Sequence, residues 1–441
     1  MNVTFFGCQS QIEGIMPAMR VCYVCSFKED SGGGVSQVVS NLSQYFASGH
    51  DVLVVEPGDS TRYYFDKGKN IHFLEVASVG KGLLYIPRFR LVDVMRIHKH
   101  LRSFSPQIIH LHDEGPIPML LLSFVNHLSF RSILSFHMSP TRKVPVMDDL
   151  LTKLAFAFSR QNNICLSKVF GQMVDIFCAP AKCMESSICE INSEKKIVFI
   201  NNQIDLLEFS GNKDIDKFSL ISVGHIVPDK GCDYLIEVMR YLPQKYRLAL
   251  VGETPNPRYL QKLENKIKEY GLNNVEFLGK VPHAEISGIL SKSHLFVSAS
   301  LLEVQSLAVL EALASGTPVV SLSNSTTDEF IDETVGRNFP RETPPLDFAR
   351  KVEELCELDD KRYNLLSENA RSKVSHLSLE AVGSKTLKVY EELVSQGKRK
   401  RKFTLSVMYI VLAVAFAKSV RILYFLERGF QKYESRSTRK S

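Results

Sequence analysis

The sequence lacks the features that would take a chain of 441 residues out of the ordinary globular class. Its 9 Cys are scattered and odd in number, which excludes a disulfide framework and reads as buried thiols of a reducing compartment. Cys22-x-x-Cys25 has no second metal-ligand pair and lies inside an apolar strand pattern, so neither a zinc site nor a redox motif is expected there. Residues 1–18 have no basic n-region and no long apolar core, so no signal peptide is expected. They read as a leader, disordered or preceding the true start, because Met19–Ser26 looks like the opening of a first strand. Collagen-like and largely disordered chains are excluded by 44% hydrophobic, 10% aromatic and 23% charged residues. Length alone suggests two or three domains.

Charge is unevenly placed. Lys398 to Ser441 carries 12 Lys/Arg against 2 Asp/Glu, a local +10, which leaves −4 on the rest of a chain whose net is +6. Such a tail points at a polyanion, a membrane surface or a nucleic acid. Within it Lys398–Lys402 precedes Phe403–Ala417, fifteen residues without a charge, where a span needs about 20. Extending to Leu426 admits Lys418 and Arg421, which on a helix share one stripe with Arg428. Segment 403–426 is therefore expected at a membrane, spanning it or lying in its interface, with a soluble packing helix as the other reading. The basic run would sit on anionic headgroups, so an anionic membrane is the expected partner and nucleic acid is not. Both flanks are basic and set no orientation; a catalytic body on the cytoplasmic face is the simplest topology.

The body alternates short apolar runs with helical patterns, which means parallel sheets with helices on both faces. Strands are expected at Val21–Ser26, Val52–Glu56, Gln107–Leu111, Ser132–Phe136, Asn163–Leu166 and Ile197–Ile200. After a polar stretch, Phe209–Lys217, the pattern restarts with strands at Phe218–Val223, Arg247–Val251, Val275–Leu278, His294–Ser298 and Pro318–Leu322. The expected organisation is a leader (1–18), a first doubly wound domain (19–208), a second one (209–378), a further helix (379–397) and the basic tail (398–441). Ligands of open parallel sheets bind at the carboxyl ends of the strands, so two facing sheets suit transfer between a donor and an acceptor.

Three segments carry chemistry. Gly32-Gly33-Gly34 follows the first strand and opens a helix, where backbone could approach a phosphate; a flexible turn is the plain alternative. It is an incomplete dinucleotide fingerprint, since Gln37 stands in place of the third Gly, although Glu56 ends the second strand where a ribose-binding acid would sit. Ser222-Val-Gly224-His225-Ile-Val-Pro-Asp-Lys230-Gly231 joins a strand to a helix, and Lys230 there can reach a diphosphate or stay solvated. Glu303-Val-Gln-Ser306-Leu307-Ala-Val-Leu-Glu311-Ala-Leu-Ala-Ser-Gly316-Thr-Pro318 places Glu303 in the loop beyond a strand and a helix from about Gln305 onward. Its free N–H groups would face the same crevice, with Glu311 two turns in. Alone, the two glutamates would be solvated surface.

The order of these segments resembles the retaining glycosyltransferases of family 4, which have the two-domain GT-B fold, over roughly residues 19 to 395. The Glu-x7-Glu segment is the most specific part. Supporting pieces are Ile108-Ile-His-Leu-His112, Ser135-Phe-His137, Ile200-Asn-Asn-Gln-Ile-Asp205, the Val-Gly-x5-Lys-Gly turn and Val275-Glu-Phe-Leu-Gly279. The resemblance makes the first domain (19–208) the acceptor side and the second (209–378) the nucleotide-sugar side, and it returns the helix over 379–397 to the first domain. The resemblance implies a nucleotide-diphosphate sugar as donor and no obligatory metal or other cofactor. It implies that Glu303 hydrogen-bonds the donor sugar, that Lys230 holds the diphosphate as leaving group, and that Glu311 takes the ribose hydroxyls. It places Gly224, His225 and the Ser306–Leu307 backbone at the nucleotide, with Gly33, Gly34 and His137 facing donor and acceptor from the first domain. Two departures stand out: His225 where Arg is usual and Ser306 where Gly is common. Asp214-Ile-Asp216, a match to the metal motif of another glycosyltransferase fold, precedes a strand and reads as solvated. The expected activity is retaining sugar transfer to a lipid, a lipid-linked carrier or a surface glycan. A sugar-nucleotide-binding subunit without catalysis, suggested by His225, and a nicotinamide oxidoreductase, suggested by the glycine loop and Glu56, are the alternatives.

Overall fold

The computed structural model describes residues 18–28, 33–81, 84–88, 90–125, 128–139, 164, 167–168, 171–210 and 215–397. The leader up to residue 17, Gly32, Asp214 and the basic tail with segment 403–426 lie outside the described residues. Among the described residues no helix is long and apolar enough to cross a membrane.

The first sheet contains β1 (Arg20–Val24), β2 (Asp51–Gly58), β3 (Arg62–Asp66), β4 (Ile71–Lys81), β5 (Leu84–Pro87), β6 (Ile108–Leu111), β7 (Arg131–Ser135), β8 (Ile176–Ala179) and β9 (Ile197–Phe199). Their order is β3-β4-β2-β1-β6-β7-β8-β9, with β5 on β4. Val21 to Val24 are all fully buried, as a strand covered by helices on both faces requires. The second sheet contains β10 (Asp216–Val223), β11 (Arg247–Val251), β12 (Val275–Gly279), β13 (Ser293–Ser298), β14 (Val319–Leu322) and β15 (Gly336–Phe339). Its order is β12-β11-β10-β13-β14-β15, parallel throughout. Strand order reverses about β1, between β2 and β6, and again about β10, between β11 and β13. Each reversal opens a crevice at the carboxyl ends of the strands.

The structure departs from the sequence reading in three places. The first sheet is mixed, because β3 and β5 run antiparallel to β4. Of the segment read as a strand over 163–166 only Ile164 is among the described residues, and it is helical, as are Ser167 and Lys168; the strand next to β7 is β8. A short apolar run cannot by itself separate a buried helix from a strand. Phe209, read as the start of a polar connection, is 3% exposed and packs with Ile221, Val251 and Phe296 under the second sheet. That face is covered by the Leu307–Ala314 helix, while the Cys232–Met239 and Pro345–Cys356 helices cover the other.

The Leu379–Ser395 helix lies against the Gly34–Ala47 helix of the first sheet. Tyr390 is fully buried with its ring 5.1 Å from Phe46. Its hydroxyl pairs with His110 Nδ1 at 2.7 Å and reaches Tyr23 Oη at 3.3 Å. The helix end is tied by Arg131, which donates to the Gln396 and Gly397 carbonyls and pairs with Asp175 at 3.1 Å. Leaving a buried imidazole nitrogen unpaired costs about 1–3 kcal/mol. Tyr390→Phe should therefore lower the unfolding free energy by about that much in urea titrations; an unchanged midpoint would show that water or another group takes the hydroxyl's place.

Candidate active site

At the second reversal, β10 ends at Val223, and the chain continues through Gly224-His225 and a turn, Pro228–Lys230, into Gly231 and the Cys232–Met239 helix. Gly231 has φ +66°, and a Cβ there would come within 2.4 Å of the Ala299 carbonyl oxygen. Only glycine lets this turn press on the end of β13. The contact is closed by Leu301 N–H donating to Asp229 O at 2.9 Å. It delivers Lys230 to the loop after β13, where its ammonium pairs with Glu303 Oε1. Ser300 Oγ donates to the same oxygen at 2.8 Å. The Lys230 stem runs over Gly224, with Cε 3.7 Å from the position a Cβ would take. Gly224, His225, Lys230, Glu303 and Ser306 thus line one cleft.

His225 is held below its ordinary pKa of 6.5 by burial and by the Lys230 charge, so the neutral ring dominates at pH 7. Lys230 is then the cation among these five residues.

The Leu307–Ala314 helix starts two residues later than the sequence pattern suggested. Ser306 is its N-cap, and the Ser306 N–H donates to Thr326 Oγ1 at 2.7 Å. That donor is taken by the protein; the first-turn N–H groups of Leu307, Ala308 and Val309 have no intrahelical acceptor by helix geometry. Gln305 lies before the helix and is buried. Its Oε1 accepts the Asn202 N–H at 2.5 Å and its carbonyl accepts Asn202 Nδ2 at 3.2 Å. The Gln305 Nε2 is buried with no partner among the described residues. Asn202 leaves the first sheet after β9, so this clamp joins the two domains. Leu307 adds an apolar contact, 3.6 Å from where a Cβ of Gly34 would lie. Gly33 caps the Gly34–Ala47 helix without a side-chain bond. The glycine turn therefore faces the same helix start that follows Glu303.

Glu311 lies on the same helix, one turn beyond its start. It is 6% exposed and its Oε1 accepts from His283 Nε2 at 2.9 Å. His283 Nδ1 is 3.6 Å from Glu208 Oε1. The imidazole sits between two carboxylates; burial opposes its charge, but the Glu311 hydrogen bond and both carboxylate charges together raise its pKa. Glu56 is buried, 4% exposed, along an apolar cavity beside Cys25 and Phe73. Asp216 pairs with Arg247 at the amino end of β10, away from the cleft.

At the first reversal, His112 follows β6 and His137 follows β7. His112 Nδ1 and His137 Nε2 are 3.1 Å apart and their rings stack. His110 lies 4.1 Å from His112, ring to ring, and its Nε2 pairs with Ser135 Oγ at 2.7 Å. Burial pushes the pKa of His110 down to about 3 and that of His137 to about 4, and lowers that of His112 as well. The three rings are neutral at pH 7. His112 Nε2 is buried without a partner among the described residues, in a pocket it shares with His137 and Asn201-Asn202-Gln203.

Three residues here escaped the sequence reading. Gln305 stood inside the quoted segment but nothing in its type announced the Asn202 clamp. Asp113 accepts from Ser26 N–H at 2.6 Å, Ser26 Oγ at 2.7 Å and Gly115 N–H at 2.5 Å, and so ties the ends of β1 and β6. Glu114, next to it, is pushed up to about 7 by burial. Their position directly after Ile108–His112 was the available signal.

The family model described as glycosyltransferase family 4 matches residues 32–207, and the one described as glycosyl transferases group 1 matches residues 203–373. The chain is 24% identical over 400 residues to alpha-monoglucosyldiacylglycerol synthase of Acholeplasma laidlawii, covering 83% of this chain and 95% of that protein. Among solved structures, sucrose-phosphate synthase from Thermosynechococcus elongatus superposes with a TM-score of 0.69 at 18% identity, over 86% of this chain and 100% of that one. Anabaena HepE in complex with UDP-glucose superposes with a TM-score of 0.64 at 15% identity, over 85% and 100%. With two doubly wound domains meeting at their switch points, and the two family models between them matching residues 32–373, the chain belongs to the family 4 glycosyltransferases of GT-B fold, enzymes that use nucleotide sugars.

Proposed function

We propose that the chain transfers a sugar from a nucleotide-diphosphate sugar, with retention, to a hydroxyl of a membrane lipid or lipid-linked carrier. The observation that carries the reading is the Lys230–Glu303 pair, an ammonium and a carboxylate fixed at the carboxyl ends of β10 and β13. Lys230 has two further N–H donors for the diphosphate. As the glycosidic bond breaks, charge grows on the leaving phosphate oxygen; a fixed ammonium and the first-turn N–H groups from Leu307 onward stabilise it without reorganising. The reading needs no metal for that task. The Glu303 carboxylate accepts donor-sugar hydroxyls, and Glu311 accepts the ribose hydroxyls. Gly224 and the neutral His225 border the nucleotide. Gly33 and Gly34 approach the donor from the first domain. His137 faces donor and acceptor, with His112 Nε2 and Gln305 Nε2, buried without a partner among the described residues, as further contacts for ligand hydroxyls. In retaining transfer the acceptor hydroxyl attacks from the leaving-group face, and the departing phosphate oxygen takes its proton.

UDP is the favoured nucleotide because HepE, with the same fold, is solved in complex with UDP-glucose. The lipid acceptor is supported by the printed name of the Acholeplasma relative and by the basic, apolar tail, which would hold the enzyme on the cytoplasmic face of an anionic membrane. Incubating the purified chain with a panel of donors and membrane lipid extract, followed by mass spectrometry and anomeric NMR of the product, tests the whole proposal. An inverted anomer would refute retention; donor binding without transfer to any acceptor would favour a non-catalytic subunit.

Lys230→Ala should lower turnover about 10²-fold or more, as for other charge partners of a transition state. Glu311→Ala should weaken nucleotide diphosphate binding by about 1–3 kcal/mol in calorimetry, and unchanged affinity would remove it from the site.

His283 makes stability depend on pH. Its folded pKa is raised, so its contribution is full below the unfolded value of 6.5 and is lost as pH rises through the folded pKa. His283→Gln keeps a donor to Glu311 but not the charge. Its melting temperature should fall furthest below the wild type below the unfolded value of 6.5 and approach it as pH rises through the raised folded pKa. A gap independent of pH would show that the ring acts by packing alone.

A further inference from the structure

Helix Leu91–Phe104, between β5 and β6, turns one face into the first domain through Ile97, Leu101 and Phe104. Its other face begins with bare apolar side chains: Leu91 is 76% exposed, Val92 51% and Met95 63%. The exposed residues that follow on this helix are Arg96, Lys99, Arg102 and the neutral Ser103, and exposed Arg88 and Arg90 precede it. Asp93, an acid within the helix, is buried and not on this face. A water-facing helix has no reason to open with three uncovered aliphatic residues; an interfacial helix has, because apolar residues enter the acyl boundary while cations stay on headgroups.

The placement gives the patch a direction. Arg88 N–H donates to Ala77 O at 2.6 Å, and Ala77 is in register with Gly58 at the carboxyl end of β2. The helix therefore starts at the carboxyl edge of the first sheet. It ends at Ser105, whose carbonyl accepts from Arg20 Nε at 2.8 Å, at the amino edge. The apolar first turn thus lies at the same end of the sheet as His112 and His137. Met138, 63% exposed, follows β7 at that end as well.

We propose that the first turn of helix Leu91–Phe104, with its flanking arginines, docks on an anionic lipid bilayer and turns the acceptor side of the cleft toward it. The occupant is a bilayer because the patch pairs apolar side chains with five exposed cations and no exposed acid on the helix, which matches acyl chains under anionic headgroups. This contact is separate from the tail and rests on the proposed lipid acceptor only for its purpose, not for its existence.

The sequence contains no Trp, so Met95→Trp in the full-length chain installs a single reporter. With vesicles of equal parts phosphatidylglycerol and phosphatidylcholine, its emission should shift to the blue and be quenched by brominated lipid. Leu365→Trp, an exposed aliphatic position on the second domain, should do neither. Adding Arg88→Glu and Arg90→Glu to Met95→Trp should weaken the quenching response by about fivefold per cation removed. The proposal is overturned if the indole at position 95 stays solvent-like and unquenched while the protein pellets with the vesicles, since the tail alone would then be docking. It is equally overturned if the indole is already shielded without lipid and sedimentation shows a dimer, since the patch would then be a contact between copies. Quenching at position 95 with no transfer to any lipid would leave the docking surface standing and remove the lipid acceptor.

Discussion

Everything at the cleft depends on how the loop from Leu301 to Ser306 is held. One end is fixed inside its own domain, by the Leu301 N–H bond to Asp229 O, and that bond exists because Gly231 lets the turn approach Ala299. The other end is fixed twice: Ser306 N–H binds Thr326 Oγ1, and the Gln305 side chain and carbonyl bind Asn202 from the first domain. Glu303 lies between these anchors. Its carboxylate is located by backbone geometry before Lys230 and Ser300 touch it. A rigid loop is what electrostatic preorganisation requires, because dipoles that must move at the moment of reaction give back most of what they stabilise.

The first domain meets this loop with a neutral surface. Three imidazoles in series, with ring centroids 4.1 Å and 5.4 Å apart, cannot share positive charge in a buried site. Burial therefore keeps His110, His112 and His137 uncharged, and each ring carries one donor and one acceptor. A distant part of the chain takes part: Tyr390, brought from the Leu379–Ser395 helix, closes the network at His110 and Tyr23. The C-terminal helix is thus a wall of the first domain and links its stability to the orientation of residues one ring away from the cleft.

What was legible in the sequence follows from what each element needs. Central strands of a doubly wound sheet are buried on both faces, so β1, β11 and β13 carry apolar runs (Val-Cys-Tyr-Val, Leu-Ala-Leu-Val and Leu-Phe-Val), and β6 carries one broken only by His110. Edge strands need no such run. β15 reads Gly-Arg-Asn-Phe and β3 reads Arg-Tyr-Tyr-Phe-Asp, and only pairing with β14 and β4 makes them strands. The glycine turn, Lys230 and Glu303 were legible because special backbone and charge at a strand end are local. The Gln305–Asn202 clamp was not, because its partners are 103 residues apart and amides give no periodic signal. His283 between Glu208 and Glu311 escaped for the same reason: three ordinary surface residue types become a part-buried triad only when the 204–210 segment, the His283–Lys292 helix and the Leu307–Ala314 helix converge.

The substitution of His225 for the family's usual Arg acquires a physical meaning from this arrangement. A guanidinium beside Lys230 would put two fixed cations against Glu303; a neutral ring leaves one cation and one carboxylate, close to electrical balance. The Ser306 N–H is also withdrawn, spent on Thr326. On the proposed reading, a diphosphate entering this cleft finds less positive potential than an Arg–Lys pair would supply, so more of its binding must come from the ribose and sugar contacts at Glu311 and Glu303. Those contacts scale with the fit of particular hydroxyls, not with charge alone. A cleft poor in cations is a weaker anion trap and a stricter judge of which nucleotide sugar fills it.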